Sequence, residues 1–329
     1  MSQVMAPLPS ERLKPAPMWY YTALDLFGYF EIRGEVNKRS VGKSYGVIFT
    51  CLLTRAVYVD ISSDYSTDAF LLTFRRFVSL RGYPSKIFSD VGSQLVAASK
   101  ELKEMFNDFD WERIKAESAR HGLEWKFSPP DAPWYNGCCE ALIRSVKKSI
   151  THAVGLQKLS YSELQTTFFE CANIVNERPI GVTPSTVEDG SYICPNDMLL
   201  GRSSNKPPSG NFDTTINSRR RLYFVQRLVD AFWKKWMSDY FPTLLERKTW
   251  HHSKRNVASG DIVIIQDKDL KRSRWRLGLV RETYLGSDGK VRRVLLRYIN
   301  SSGAATEVER PVQRLVLLVP TEERNNSGQ

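Results

Sequence analysis

Three acidic residues lie where the sequence predicts that strands and helices present their side chains. Asp25 interrupts an otherwise apolar strand, Asp90 closes a short strand, and Glu140 lies in the first turn of a helix. A buried aspartate is costly unless it is hydrogen-bonded or binds a cation. Carboxylates at the carboxyl ends of strands lie where α/β sheets bind their ligands.

Each acid also has a purely structural interpretation. Asp25 could face solvent on an alternating strand, Asp90 could form an Asx turn, and Glu140 could favour a helix N-terminus. Taken together, the three carboxylates provide what a two-metal phosphoryl-transfer site needs. Two ions about 4 Å apart stabilise the attacking and leaving oxygens, and Mg²⁺ prefers a few carboxylates with water and phosphate oxygens. We therefore expect two Mg²⁺ (or Mn²⁺) ions.

The helix that begins near Glu140 also carries basic side chains. Arg144 and Lys147 follow at +4 and +7, which puts them on the same helix face as the glutamate. Such a face could bind a metal at its start and follow a phosphate backbone further along. The alternative is a solvated ion pair between Glu140 and Arg144.

The predicted elements around these residues indicate a mixed α/β domain. Three strands, a helix, a strand, two charged helices, a strand and two long helices follow one another, an order typical of helices packed on both faces of a sheet. Their predicted bounds are strands 19–32, 44–54 and 55–62, helix 67–81, strand 86–90, helices 97–107 and 110–121, strand 123–128, and helices 137–153 and 162–177.

The excess of positive charge lies in residues 202–329. The net charge of the 329 residues is +11, but residues 1–201 carry −1 and residues 202–329 carry +12. So uneven an excess favours a polyanionic partner such as nucleic acid. A Gly-, Ser- and Pro-containing stretch, 201–218, predicts a linker. Beyond it, the sequence predicts an amphipathic basic helix and a small β-barrel with strands 261–266, 275–284, 291–299, 305–310 and 314–318.

Composition also argues against several other classes of protein. No apolar run reaches the roughly 18 residues that a membrane span needs, so no membrane partner is expected. Five cysteines in a chain of this length do not make a disulfide framework, which favours an intracellular location. The cysteines and histidines lack zinc-ligand spacing, so no zinc is expected.

Several sequence stretches resemble the integrases of retroviruses and long-terminal-repeat retrotransposons, most closely the BEL/Pao class. The similarity covers nearly the whole chain, and its most specific part is the Asp/Asp/Glu triad in its local contexts. The matching stretches are LPSERLKPAPMWYYTALDLFGYFEI (8–32), TRAVYVD (54–60), STDAFLLTFRRFVSLRGYPSKIFSDVGSQLV (66–96), WKFSPPDAPWYNGCCEALIRSVKKSI (125–150) and the basic region 219–318.

The resemblance implies an RNase H-like catalytic core followed by a DNA-binding SH3-like barrel. It assigns Asp25, Asp90 and Glu140 as the catalytic, metal-binding triad. The expected DNA contacts are Asn136, Arg144 and Lys147 near the triad, and Arg272, Arg274 and Arg276 from the basic cluster of the barrel. The expected organisation is a lead-in (1–17), the core (18–200), the linker (201–218), a basic helix (219–250), the barrel (251–320) and a disordered tail (321–329).

The implied activity is 3′-end processing of element DNA and its strand transfer into target DNA. The expected partners are double-stranded DNA, both element ends and target, and further copies of the chain, with the nucleus as the site of action. Two alternatives are a catalytically silent relic or domesticated protein that only binds DNA or chromatin, and an RNase H-like nuclease.

The sequence departs from the family pattern in three places. Asp90 and Glu140 have 49 residues between them, more than is typical of retroviral members. Val91 replaces the asparagine that usually follows the second aspartate. The His/His/Cys/Cys zinc module that precedes the core in the family is absent from residues 1–17, so a fragment or a truncated reading frame is expected.

Overall fold

The computed structural model divides the chain into two compact units. One contains Met1–Asn176 with Phe212–Trp236, and the other contains Glu177–Asn211 with Met237–Gln329. The residues that the structure describes are 10–34, 39–64, 66–90, 110–119, 122–128, 137–201, 221–245, 255–267, 270 and 272–326. The predicted helix 97–107, Val91 and nearly all of the predicted linker lie outside these residues.

The described elements follow the predicted order closely. The helices are α1 (Ser10–Leu13), α2 (Thr67–Arg81), α3 (Trp111–Ala119), α4 (Gly137–Val154), α5 (Tyr161–Asn176), α6 (Thr186–Asp189), α7 (Pro195–Leu200), α8 (Arg221–Leu244) and α9 (Thr321–Asn326). The strands are β1 (Tyr21–Arg33), β2 (Val41–Cys51), β3 (Val57–Ser62), β4 (Lys86–Asp90), β5 (Glu124–Ser128), β6 (Leu159–Ser160), β7 (Ile262–Ile265), β8 (Leu277–Leu285), β9 (Val291–Ile299), β10 (Ala305–Pro311) and β11 (Leu315–Val319). No helix among the described residues has the length and apolar character of a membrane span.

The described part of the first unit is built on a mixed sheet. Its strands lie in the order β3-β2-β1-β4-β5, and the short β6 pairs with β1. Strands β1, β2 and β3 are antiparallel, whereas β4 and β5 run parallel to β1. The predicted mixed α/β class is therefore confirmed, and β1 lies at the centre of the sheet.

Helices cover both faces of this sheet. On one face, the ring of Phe77 from α2 stacks on Phe49 of β2 at 4.1 Å between centroids. On the other face, Phe168 of α5 stacks on Phe27 of β1 at 5.5 Å. Helix α2 has its predicted bounds because Ser66 caps its start, where the Ser66 Oγ accepts from the Ala69 N–H at 3.2 Å.

Helix α8 contributes most of its length to the first unit, where the sequence predicted a separate basic helix. Its Trp236 is fully buried, and the indole Nε1 donates to the Ser145 Oγ of α4 at 3.2 Å. Gln226 donates to Glu170 of α5 at 2.7 Å. The apolar face of α8 therefore completes the core of the first unit, and DNA cannot be the partner of that face.

The start of α8 is fixed by a cluster of charges around Glu163. Its carboxylate accepts hydrogen bonds from Arg221 of α8, from the Ser160 N–H at 2.9 Å and from Arg33 of β1 at 3.3 Å. Burial alone would raise the pKa of Glu163, but the hydrogen bonds from Arg221 and Ser160 and the two positive charges lower it to about 2.

This depressed pKa predicts a pH dependence of stability. Glu163 stabilises the folded chain above its unfolded pKa of about 4.3, and that contribution is lost as the pH falls towards 2. Because Arg221 is partly exposed, the contribution is about 1 kcal/mol. Urea unfolding measures how much the free energy of unfolding falls between pH 6 and pH 3. This fall should be smaller in Glu163→Gln than in the unaltered chain. Glu112→Gln, at an 88% exposed side chain, should show the same fall in unfolding free energy as the unaltered chain. An equal fall in all three chains would contradict the stabilising role of Glu163.

The second unit contains an antiparallel sheet in the order β10-β9-β8-β7-β11. Its main core includes Val263, Val280 and Leu296, which are all below 2% exposed. The predicted five-stranded, all-β part is thus confirmed among the described residues, and its strand bounds differ from prediction by at most two residues.

Residues 177–200 belong to the second unit together with this sheet, whereas the sequence assigned them to the catalytic core. Thr186 and Val187 of α6 line a small cavity together with Ile262, Leu277 and Tyr298. Ile262 and Leu277 are buried although neither belongs to the main core cluster. The face of the sheet that bears Ile262 and Leu277 is apolar and must be covered by other residues. The polar stretch 201–218 had predicted the boundary between the two parts of the chain, and nothing in its composition indicated that this boundary lies earlier.

Asp261, just before β7, connects the segment 255–258 with the start of α9. Its buried carboxylate accepts from Arg255 Nη2 at 2.7 Å, from the Ala258 N–H at 2.9 Å and from the Thr321 N–H at 3.0 Å. The last contact lies at the start of α9, a helix where the sequence predicted a disordered tail.

We expect Asp261→Ala to destabilise the second unit by about 2–4 kcal/mol, because two backbone N–H groups lose their acceptor and Arg255 loses its counter-charge. Chemical denaturation measures this loss. Asp288→Ala, which removes an exposed ion pair with Arg292, should cost less than about 1 kcal/mol. Equal effects of the two substitutions would contradict this role for Asp261.

Candidate active site

Two of the three candidate carboxylates lie on neighbouring strands at the same level. The parallel pairing of β1 and β4 aligns Leu24 with Ser89, so the next residues in register are Asp25 and Asp90. Adjacent strands are about 4.8 Å apart, and residues in register on parallel strands face the same side. The backbone thus makes Asp25 and Asp90 neighbours, although the side chain of Asp90 lies outside the described part of the structure.

The third carboxylate is on α4, whose first turn contains Glu140 as predicted. Helix α4 packs on the face of the sheet that bears Asp25, because Lys147 of α4 contacts Asp25 directly. Glu140 precedes Lys147 by seven residues, or two helical turns, and therefore lies on the same side of α4 about 10 Å along its axis. The side chain of Glu140 is likewise outside the described residues.

Both carboxylate oxygens of Asp25 accept hydrogen bonds. The backbone N–H of Leu26 donates to Oδ1 at 2.7 Å, and the Lys147 Nζ donates to Oδ2 at 2.5 Å. The same ammonium lies 3.4 Å from the Leu26 carbonyl oxygen. Both side chains are about a quarter exposed, 24% for Lys147 and 23% for Asp25. This ion pair was not predicted, because 122 residues separate its members and the sequence suggested only that Lys147 contacts DNA.

The chemistry of these residues suits a hard divalent cation. Carboxylate oxygens are the ligands that Mg²⁺ prefers, and the Asp25 carboxylate already attracts a cationic group in this structure. Among the described residues, no three His, Cys, Asp or Glu side chains lie close enough to hold a metal ion. The carboxylates of Asp90 and Glu140, which would complete the set, are not among those side chains.

The other predicted DNA contacts differ in their exposure and in the residues they contact. Arg144 is exposed on α4, and Arg274 is exposed just before β8. Arg276 pairs with Asp267 at 2.6 Å and lies over the ring of Tyr298. Asn136 lies outside the described residues.

Arg272 needs a correction. It is only 4% exposed. A guanidinium buried to this extent does not reach a phosphate backbone, so Arg272 is removed from the predicted DNA contacts. Composition could not reveal this, because counting the four basic residues of 271–276 does not distinguish a buried arginine from an exposed one.

Part of the chain matches a known family model. Residues 220–318, from the start of α8 into β11, match a family of unknown function (DUF5641). The match covers less than a third of the 329 residues and supplies no activity. No curated protein matches the chain.

One solved structure with overall similarity is the cryo-EM structure of the simian T-cell lymphotropic virus intasome in complex with the PP2A regulatory subunit B56 gamma. A chain of that assembly aligns with 91% of this chain and 78% of its own length, at 12% identity and a TM-score of 0.35. A TM-score this low does not establish a common fold.

Proposed function

We propose that this chain is a metal-dependent polynucleotidyl transferase of the integrase type, acting on double-stranded DNA. The observation that supports the proposal is the register of β1 and β4, in which Asp25 and Asp90 are neighbours. Helix α4, with Glu140 in its first turn, packs over the face of the sheet that bears Asp25. The mixed sheet with helices on both faces also supports the RNase H-like core that the sequence resemblance implied.

In this proposal Asp25, Asp90 and Glu140 hold two Mg²⁺ (or Mn²⁺) ions. When bound, the ions supply Lewis-acid stabilisation of the charge on the transferring phosphoryl group. The chain itself orients the carboxylates. The Leu26 N–H fixes Asp25 Oδ1, and the strand pairing sets the spacing between Asp25 and Asp90. The nucleophile is water in end processing and a DNA 3′-hydroxyl in strand transfer, so no side chain forms a covalent intermediate.

The basic residues beyond position 201 supply affinity for DNA in this proposal. The exposed Arg274 is the strongest remaining candidate of the predicted barrel contacts, because Arg272 is buried and Arg276 is paired with Asp267. We also propose an SH3-like barrel, assembly into a homo-oligomer on DNA, and action in the nucleus. A BEL/Pao relationship belongs to the same proposal and rests on the sequence motifs.

The proposal predicts metal-dependent cleavage of DNA by the full chain. Supercoiled plasmid should be nicked or joined in the presence of Mg²⁺ or Mn²⁺ and should stay intact with EDTA, because in this proposal the attacking and leaving oxygens are stabilised by the metal ions. Gel electrophoresis of the plasmid measures both products. DNA that is bound but unchanged with either metal would contradict the enzymatic proposal and favour a DNA-binding protein.

A further inference from the structure

The carboxylate that the proposed function assigns to a metal already has a cationic partner from the chain. The Lys147 ammonium lies 2.5 Å from Asp25 Oδ2, while the Leu26 N–H occupies Oδ1. Both oxygens of Asp25 therefore accept a hydrogen bond from the chain itself. A divalent ion that bound Oδ2 directly would lie within a few ångströms of the ammonium and would be repelled by it.

We propose that Lys147 is an internal counter-cation that competes with the divalent ion for Asp25. This inference rests on the proposed function, in which Asp25 is a metal ligand. In the metal-free chain the ammonium neutralises the Asp25 carboxylate. When a divalent ion binds, the ammonium leaves Oδ2, so the affinity for the ion is lowered by the strength of the ion pair.

The geometry permits this exchange at low cost. Lysine carries a compact charge on a flexible four-carbon stem, and the Lys147 side chain is 24% exposed. The ammonium can therefore move into water without becoming a buried, unpaired charge. The Leu26 N–H donates to Oδ1, the oxygen that Lys147 does not contact, so this hydrogen bond can orient the carboxylate while its cationic partner changes.

The test is Mn²⁺ binding to the full chain without DNA, measured from the EPR signal of unbound Mn²⁺. The relevant binding site is the one that Asp25→Asn abolishes. At that site, Lys147→Gln should bind Mn²⁺ about three- to tenfold more tightly than the unaltered chain, because a partly exposed ion pair no longer has to break. Lys147→Arg, which keeps the charge, should stay within about twofold of the unaltered chain.

Lys148→Gln is the matched control. Lys148 is the next residue on α4, is exposed, and carries the same charge. Competition at Asp25 predicts a change of less than about twofold for this variant. Equal tightening by Lys147→Gln and Lys148→Gln would overturn the inference in favour of general electrostatic repulsion.

Two further outcomes separate this inference from the proposed function. If Mn²⁺ binding depends on Asp25 but Lys147→Gln leaves the affinity unchanged, the counter-cation role is overturned and the proposed metal site stands. If no Mn²⁺ binding depends on Asp25 in any variant, both are overturned. Circular dichroism of each variant shows whether it is folded.

Discussion

Replacing Asp25 with asparagine is expected to lower the rate of metal-dependent DNA cleavage and joining by about 10³-fold or more. Asparagine keeps an oxygen that can accept from the Leu26 N–H, but it removes the negative charge that is proposed to bind a divalent ion. The fold should survive, because the lost partner is the partly exposed Lys147 and such pairs contribute about 1 kcal/mol or less. Single-turnover assays on labelled oligonucleotides measure the rate.

Asp68→Asn is the control for this prediction. Asp68 is 72% exposed in the first turn of α2, where it pairs with Arg113. Asp68→Asn removes the same charge as Asp25→Asn but at a distance from the proposed site. Because exposed charges are screened by salt, the rate of DNA cleavage and joining by this variant should stay within about twofold of the unaltered chain. Activity that persists in Asp25→Asn would remove Asp25 from the mechanism.

Replacing Trp236 with alanine is expected to destabilise the first unit by about 3–5 kcal/mol. The indole is fully buried, lies 6.2 Å from the Phe232 ring, and donates to the Ser145 Oγ. The substitution therefore leaves a cavity between α8 and α4 and removes one hydrogen bond. Urea denaturation followed by circular dichroism measures the loss.

A graded series tests whether this loss reflects packing. Trp236→Phe keeps most of the apolar contact and should cost about 1–2 kcal/mol, from the lost hydrogen bond and the smaller ring. Lys234→Ala, at an exposed position of the same helix, should change stability by less than about 0.5 kcal/mol. If Trp236→Ala costs no more than Lys234→Ala, α8 is not part of the core. Deletions meant to remove the proposed DNA-binding part should begin after α8.

Local signals in the sequence were sufficient to predict many of the elements. Ser66 caps α2 and Gly82 ends it, so the helix has the bounds that the residue pattern indicated. The apolar stripe of residues 222–236 likewise predicted a helix with one buried face. It did not say what that face contacts, because Trp236 and Ser145 are 91 positions apart in the sequence.

The site shows the same division between local and long-range information. Asp25 and Asp90 could be chosen from their positions on strands, and the parallel pairing of β1 and β4 then makes them neighbours. The ion pair between Asp25 and Lys147 could not be predicted, since it depends on how α4 crosses the sheet. The burial of Arg272 was missed because charge counting treats every arginine as exposed.

The most direct test of the central claim is the analysis of the products that the full chain makes from a labelled DNA end and an unlabelled circular target. The proposed function predicts that, with Mg²⁺ or Mn²⁺, the label becomes covalently joined to the target through the 3′ end, and that Asp25→Asn and Glu140→Gln both abolish this product. Products of hydrolysis alone, with no joined DNA at any metal concentration, would contradict the assignment as an integrase-type transferase and indicate a nuclease.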